Sequence, residues 1–403
     1  MRNLMIGFYA LFLALATGCA SRPEGVLTPV AADVRSPSAP TVTMLVATSR
    51  KSSGDPATLF TGERSPTLSF TDIAFSIPPD HTSGTVQWPR KLPPDPGKDF
   101  AVVRANGLST PEARTWLHTH NKNGHVLVFV HGFNNRYEDA VFRFGQIVHD
   151  SEADATPVLF TWPSRASVFD YNYDKESTNF SRTALEQTLR ALVDDRTVKD
   201  VTVLAHSMGT WLAMESLRQM ALRDGGVSAK IDNVVLASPD LDVDVFARQW
   251  TELGNRKPRF TIFVSQDDRA LAVSRLISGG VQRVGAINPA AEPYRTKLEQ
   301  AGIIAIDLTK IKTEDSLHHG KFAESPEIVQ LIGSRLVAGQ PLTESDIGLG
   351  EGIGAIVAGT VGAVGKVAAT TVSAPISLVE GKTRSSRSSD IGTILESDTT
   401  EQP

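Results

Sequence analysis

The sequence has little cysteine. Cys19 is the one thiol in 403 residues. That excludes a disulfide framework and any metal cluster built from several thiolates. Runs of lysine and arginine are also missing, and the formal net charge is −5. A basic footprint for nucleic acid is therefore absent. Long apolar runs are scarce. Leu4 to Ala16 is apolar but falls short of the about 20 residues that a membrane span needs. What is present is ordinary globular material, 41% hydrophobic and 21% charged. At roughly 100–200 residues per domain, the length allows one large α/β domain or two smaller ones.

The N-terminus reads as a targeting segment. Met1-Arg2-Asn3 is a positive start, an apolar middle follows, and Thr17-Gly18 precede Cys19. This is the pattern of a signal peptide over residues 1–18. A cysteine placed where the small residues end resembles the lipobox of bacterial lipoproteins, with Ala16 where leucine is commoner. The resemblance implies diacylation of Cys19 and a membrane attachment through that lipid. Ala20 stands where aspartate would signal inner-membrane retention, which implies the outer membrane, facing the periplasm. The alternative is an ordinary signal peptide with an incidental cysteine. Residues 19–41 hold Pro23, Pro29, Pro37 and Pro40 and read as an extended tether.

A domain is expected over 42–340. Its first part, 42–122, is strand-rich and punctuated by proline, with strands at Val42–Ala47, Thr67–Phe70 and Ile73–Ile77. From Asn123, short apolar runs alternate with helical patterns. Strands are expected at His125–Val130, Val158–Thr161, Val201–Ala205, Ile231–Ala237, Phe260–Val264 and Ile303–Asp307. Helices are expected at Arg136–Asp150, Ser181–Val193, Met208–Arg223, Val243–Leu253, from about Ala270, and at Pro326–Leu336. This alternation predicts an α/β fold with a mostly parallel central sheet, helices on both faces and an antiparallel lead-in. Beyond it, 341–382 is a Gly-rich apolar segment. Within it Gly352–Val379 carries one charge, Lys366, and is expected to form a peripheral helix on the domain or on a membrane surface. Residues 383–403 read as a disordered tail.

Sites in such sheets lie beyond the carboxyl ends of the strands. Ala205-His206-Ser207-Met208-Gly209 follows a strand and opens a helix. Small residues two places either side of a serine, at a sharp strand-to-helix turn, describe a nucleophile elbow. The helix start and the Met208 N–H would favour a developing oxyanion. A second donor is expected from the loop after an early strand, and Phe133 N–H in His131-Gly132-Phe133 fits that position. His131 itself reads as a structural residue. A serine needs a base and the base needs a carboxylate, in the order serine, acid, histidine. His318 and His319 are the only histidines after Ser207. Asp267 and Asp268 follow one late strand, and Asp240 and Asp242 follow another, so the acid stays open at this point.

The order His131-Gly132-Phe133-Asn134, Phe160-Thr161-Trp162-Pro163-Ser164, Ala205-His206-Ser207-Met208-Gly209, Ser238-Pro239-Asp240, Asp268-Arg269-Ala270-Leu271 and His319-Gly320-Lys321-Phe322 resembles one family. It is the bacterial α/β-hydrolase family of "esterase/lipase superfamily" proteins of undefined function. Ala47-Thr48-Ser49-Arg50 and Ser76-Ile77-Pro78 resemble its N-terminal portion. The resemblance implies an α/β-hydrolase fold, Asp268 as the acid and His319 as the base. Asp267 and His318 double those two positions. The implied activity is cleavage of an ester or related acyl bond in a small or lipid substrate, through Ser207, His319 and Asp268. No metal or cofactor is implied. Alternatives are an acyltransferase on the same triad and a non-catalytic envelope scaffold on a hydrolase fold. Trp162 and Tyr171 are candidates for lining an acyl or alcohol pocket, with core packing as the competing role.

Overall fold

The computed structural model describes residues 23–31, 34, 39–337 and 354–356. Cys19, the signal segment, the tail and most of Gly352–Val379 lie outside the described residues.

The strands are β1 (Thr41–Ser52), β2 (Phe60–Ser76), β3 (Ala101–Leu108), β4 (His125–Val130), β5 (Thr156–Thr161), β6 (Asp200–His206), β7 (Ile231–Ala237), β8 (Arg259–Val264), β9 (Ile304–Asp307) and β10 (Gly354–Ile356). They form one sheet in the order β10-β9-β8-β7-β6-β4-β5-β1-β2-β3. From β9 to β1 all pairs are parallel. β1, β2 and β3 pair antiparallel. This is an α/β-hydrolase fold: a mostly parallel sheet with antiparallel strands on its N-terminal side.

The parallel strands are apolar throughout because helices cover both faces. In β4, Val126, Val128 and Val130 pack into one core layer, whereas Leu127 and Phe129 pack into the other. The first layer meets α3 (Tyr171–Asp194) and α4 (Gly209–Asp224); the second meets α2 (Tyr137–Ser151) and α9 (Pro326–Leu331). The remaining helices are α1 (Thr110–His120), α5 (Val243–Glu252), α6 (Arg269–Ile277), α7 (Tyr294–Ala301) and the short α8 (Lys321–Glu324).

Several elements differ from expectation. β2 is one 17-residue strand where two short ones are expected, because it continues past the edge of β1's apolar stretch. α3 begins ten residues early, at Tyr171, on polar residues that bury as hydrogen-bonding partners. The expected Gly-rich helix is not helical at Gly354–Ile356, where the backbone pairs antiparallel with β9 as an edge strand.

The chain passes from β4 to β5 on one side and then to β6 on the other, so its direction of travel reverses between β4 and β6. Loops leaving the carboxyl ends of these neighbours part there and open a crevice. Val130 pairs with Ala205, which brings Gly132 and Ser207 level, two residues further on.

Candidate active site

Ser207 sits at φ 52°, in the left-handed region. For a residue with a Cβ that costs about 1–3 kcal/mol, and it persists only where surroundings enforce it. They do so here. Ser207 N–H donates to Ala237 O at 2.9 Å, and its carbonyl accepts from Asp240 N–H at 3.2 Å and Thr210 N–H at 3.0 Å. Gly209 is required: a Cβ there would lie 2.2 Å from His131 O. A Cβ on Gly132 would lie 2.8 Å from the Ser207 Cβ, so the loop after β4 passes directly against the serine. Among the described residues, neither Phe133 N–H nor Met208 N–H donates to a protein acceptor.

Two strands along, Asp268 lies in the turn after β8 and caps α6. Its Oδ1 accepts from Leu271 N–H at 2.9 Å, and its Oδ2 lies 2.7 Å from His319 Nδ1. Both lie at the carboxyl end of the sheet. Burial disfavours the His319 imidazolium, but the charge and hydrogen bond of Asp268, helped by Asp240 and Asp315, outweigh it. Its pKa therefore lies above the ordinary histidine value. No hydrogen bond joins Ser207 Oγ to His319 among the described residues. His206 precedes Ser207 in the chain, and its ring centroid is 4.7 Å from that of His319. Burial, and then the charge of His319, push the His206 pKa well down. As a neutral ring its Nε2–H donates to His319 O at 3.3 Å.

The doubled residues part company. Asp267 accepts from Ser265 Oγ and, at 2.7 Å, from the buried Lys321 Nζ. His318 Nδ1 lies 2.9 Å from Asp267 Oδ2 but is not aligned for a hydrogen bond. Asp240 turns to Tyr171 Oη at 3.1 Å, to Ser274 Oγ at 2.5 Å and to Arg283 Nε at 3.3 Å. Asp242 caps α5.

Trp162 is fully buried and stacks on His131 with centroids 4.9 Å apart; its Nε1–H donates to His131 O at 2.8 Å. It has no surface to offer a ligand and serves as packing. Tyr171 places its ring edge against Phe133, with centroids 5.4 Å apart. Burial and then the Asp240 charge push its hydroxyl up to about 12. His131 Nε2 accepts from Trp162 N–H at 3.1 Å, so its Nδ1–H donates to Gly132 O at 2.8 Å. Burial and then Arg50 hold its pKa well below the usual value.

Two positioning groups escape a reading of the sequence. Arg50 is buried and donates to Thr161 Oγ1 (2.8 Å), Thr61 O (3.2 Å), Ser164 O (2.9 Å) and Asn135 O (2.8 Å). It thus ties the loops after β4 and β5 together, and burial brings its pKa down to about 10. Asp315 accepts from the N–H groups of Leu317, His319 and Gly320 at 2.9, 2.7 and 3.0 Å. Burial opposes its ionisation, but these donors keep it below the usual carboxylate range. The signals in the sequence are the Ala47-Thr48-Ser49-Arg50 run that ends a strand pattern, for Arg50, and an aspartate just before the histidines, for Asp315.

Fold and sheet order define an α/β hydrolase. A family model described as "Alpha/beta hydrolase of unknown function (DUF900)" matches residues 109–335, and the chain belongs to that family. Comparison with curated proteins gives no match. Among solved structures, the chain is similar to a protein from Lactobacillus plantarum WCFS1 described as a candidate cell surface hydrolase. That likeness has 12% identity and a TM-score of 0.37, over 56% of this chain and 96% of the other.

Proposed function

We propose that the protein is a serine hydrolase that cleaves an ester or related acyl bond through an acyl-enzyme. The observation that carries this is the left-handed Ser207 at a strand-to-helix turn, on the same sheet end as the 2.7 Å His319–Asp268 pair. Ser207 Oγ attacks the acyl carbon while His319 Nε2 takes its proton. The Phe133 and Met208 N–H groups receive the oxyanion, each worth about 3 kcal/mol where such donors have been removed. His319 returns the proton to the leaving group. A water, deprotonated by His319, then releases the acyl group and frees Ser207. Asp268 holds the ring with Nδ1–H inward and stabilises the imidazolium.

Fluorophosphonate labelling tests this reading. The purified chain should be labelled with one equivalent, and Ser207→Ala should not be labelled. Labelling of the alanine variant would place the nucleophile elsewhere. Support for a lipid anchor comes from the sequence around Cys19 alone, and we propose attachment there, at the outer membrane facing the periplasm. Loss of fatty-acid labelling in Cys19→Ser is the expected result.

A further inference from the structure

On the opposite face from α3, the loop after β2 lies against the end of α2. His81 and Asp150 are buried there, with side chains 5% and 1% exposed, and His149 is 29% exposed. His81 Nε2 lies 2.7 Å from Asp150 Oδ1, and His149 Nδ1 lies 2.9 Å from the same oxygen. The ligating atoms of all three residues fall within 4.8 Å of one another.

The proton positions are constrained from outside the cluster. Gln87 Nε2 faces Asp80 O, which turns Gln87 Oε1 towards His81 Nδ1 at 2.6 Å. An amide oxygen only accepts, so Nδ1 carries the hydrogen. In a neutral ring Nε2 then has a lone pair, aimed at a carboxylate oxygen 2.7 Å away. Two lone pairs cannot meet at that distance without a positive charge between them. The other oxygen, Oδ2, already accepts from Gly84 N–H and Gln146 Nε2, both at 2.7 Å. Oδ1 is thus reserved for whatever lies between it and the two imidazoles. A divalent metal ion is one such group, because it binds two imidazole lone pairs and a carboxylate oxygen together, and the three ligating atoms converge on one point.

We propose that His81 Nε2, His149 Nδ1 and Asp150 Oδ1 form a divalent transition-metal site, suited to zinc. Two imidazoles and one carboxylate are a set that zinc accepts with a fourth position left to water. Gln87, which fixes the His81 tautomer, and Gly84 and Gln146, which hold the carboxylate, are outer partners of the kind that orient metal ligands. Tetrahedral ligands at zinc sit about 3.3 Å apart, given bonds of about 2.0–2.1 Å. The His81 and His149 contacts with Oδ1, at 2.7 and 2.9 Å, open to that spacing by small rotations of both rings.

The site would stiffen the support of the candidate base. Arg143 donates to Gly84 O at 3.3 Å, and Gln146 Nε2 donates to Ala323 O at 3.1 Å. Ala323 lies in α8, which begins two residues after His319.

The test is zinc binding by the full chain after removal of metals with a chelator, read against a chromogenic zinc competitor at pH 7.5. One equivalent should bind and raise the thermal midpoint. His149→Ala, which removes a half-exposed side chain and leaves the fold intact, should weaken binding at least 100-fold. Gln87→Ala should weaken it about 10–100-fold, as for other outer partners. His81→Ala should abolish binding. Absence of zinc binding by the wild type, or unchanged binding in His149→Ala, would overturn the proposal. In that case the cluster is an ion pair of imidazolium and carboxylate.

Discussion

Two histidine–aspartate pairs lie one residue apart in both of their chain segments. Asp268 is buried, His319 has 16% of its side chain exposed, and the two are joined at 2.7 Å. Asp267 and His318 stand about one-third exposed, and Asp267 is bound by Lys321 instead. The residue types are the same and the loops are the same. The difference is direction. Asp268 is the cap of α6, so its side chain turns over the helix start, towards the strand ends. His318 has φ 57°, and that left-handed step swings the next side chain, His319, to the opposite side of the loop. Asp315 fixes this loop by holding the N–H groups of Leu317, His319 and Gly320 with its carboxylate and that of His318 with its carbonyl. The pair we propose as catalytic is thus selected by backbone geometry, with Asp267 left to anchor the loop through Lys321.

Substitutions can break this contrast. The largest effect is expected at Ser207→Ala and His319→Ala. Each should lower kcat by about 10⁵–10⁶, the scale at which a nucleophile or base acts as part of a unit. Asp268→Asn should cost about 10⁴, by releasing the ring from the required tautomer. All three are read by single-turnover kinetics on a short-chain nitrophenyl ester.

Arg50→Lys should come next. It keeps the charge but loses the fork that spans two loops, and a misplacement near 1 Å costs about 10²-fold. The loss should fall on kcat with KM little changed, because the donor loop shifts while the rest of the pocket stays.

Asp267→Ala should lose about 10-fold or less, with a lower thermal midpoint, because it leaves Lys321 Nζ buried without its carboxylate. His318→Ala should change kcat by less than about 3-fold, in line with a partly exposed side chain that lies near Asp267 without an aligned hydrogen bond. A larger loss at His318 than at His319 would invert the comparison.

The pH profile sharpens it. The base must be neutral to accept the serine proton, and its pKa is raised. kcat/KM should therefore fall as pH drops through a value above about 6.5, the ordinary histidine pKa. Asp268→Asn removes the partner that raises it most, so its residual acid limb should move to lower pH.

Much of this was legible in the sequence. β4 and β7 run over the expected residues because continuous apolar runs bounded by polar residues leave little choice of limits. The elbow was legible because its steric demands fall on residue size at fixed offsets. β3 and α1 were not foreseen, although Ser109 and Glu112 form a capping box with proline in the first turn. That signal lies in a stretch whose other cues are short strands and prolines. The roles of Arg50 and Asp315 were hidden for a different reason. Apart from the Arg50 bond to Thr161 Oγ1, the partners named for them are backbone carbonyls and N–H groups, which no side-chain pattern advertises.

The buried Arg50 has one more consequence. The family match begins at residue 109, after β1, β2 and β3. Yet β1 pairs with β5 from Leu45 to Thr48, and its Arg50 binds both site loops. A fragment cut at 109 would carry the recognisable signature but would bare the β5 edge, an open template for aggregation. The segment by which such chains are recognised is therefore smaller than the segment that folds cooperatively, and expression boundaries should be drawn around the latter.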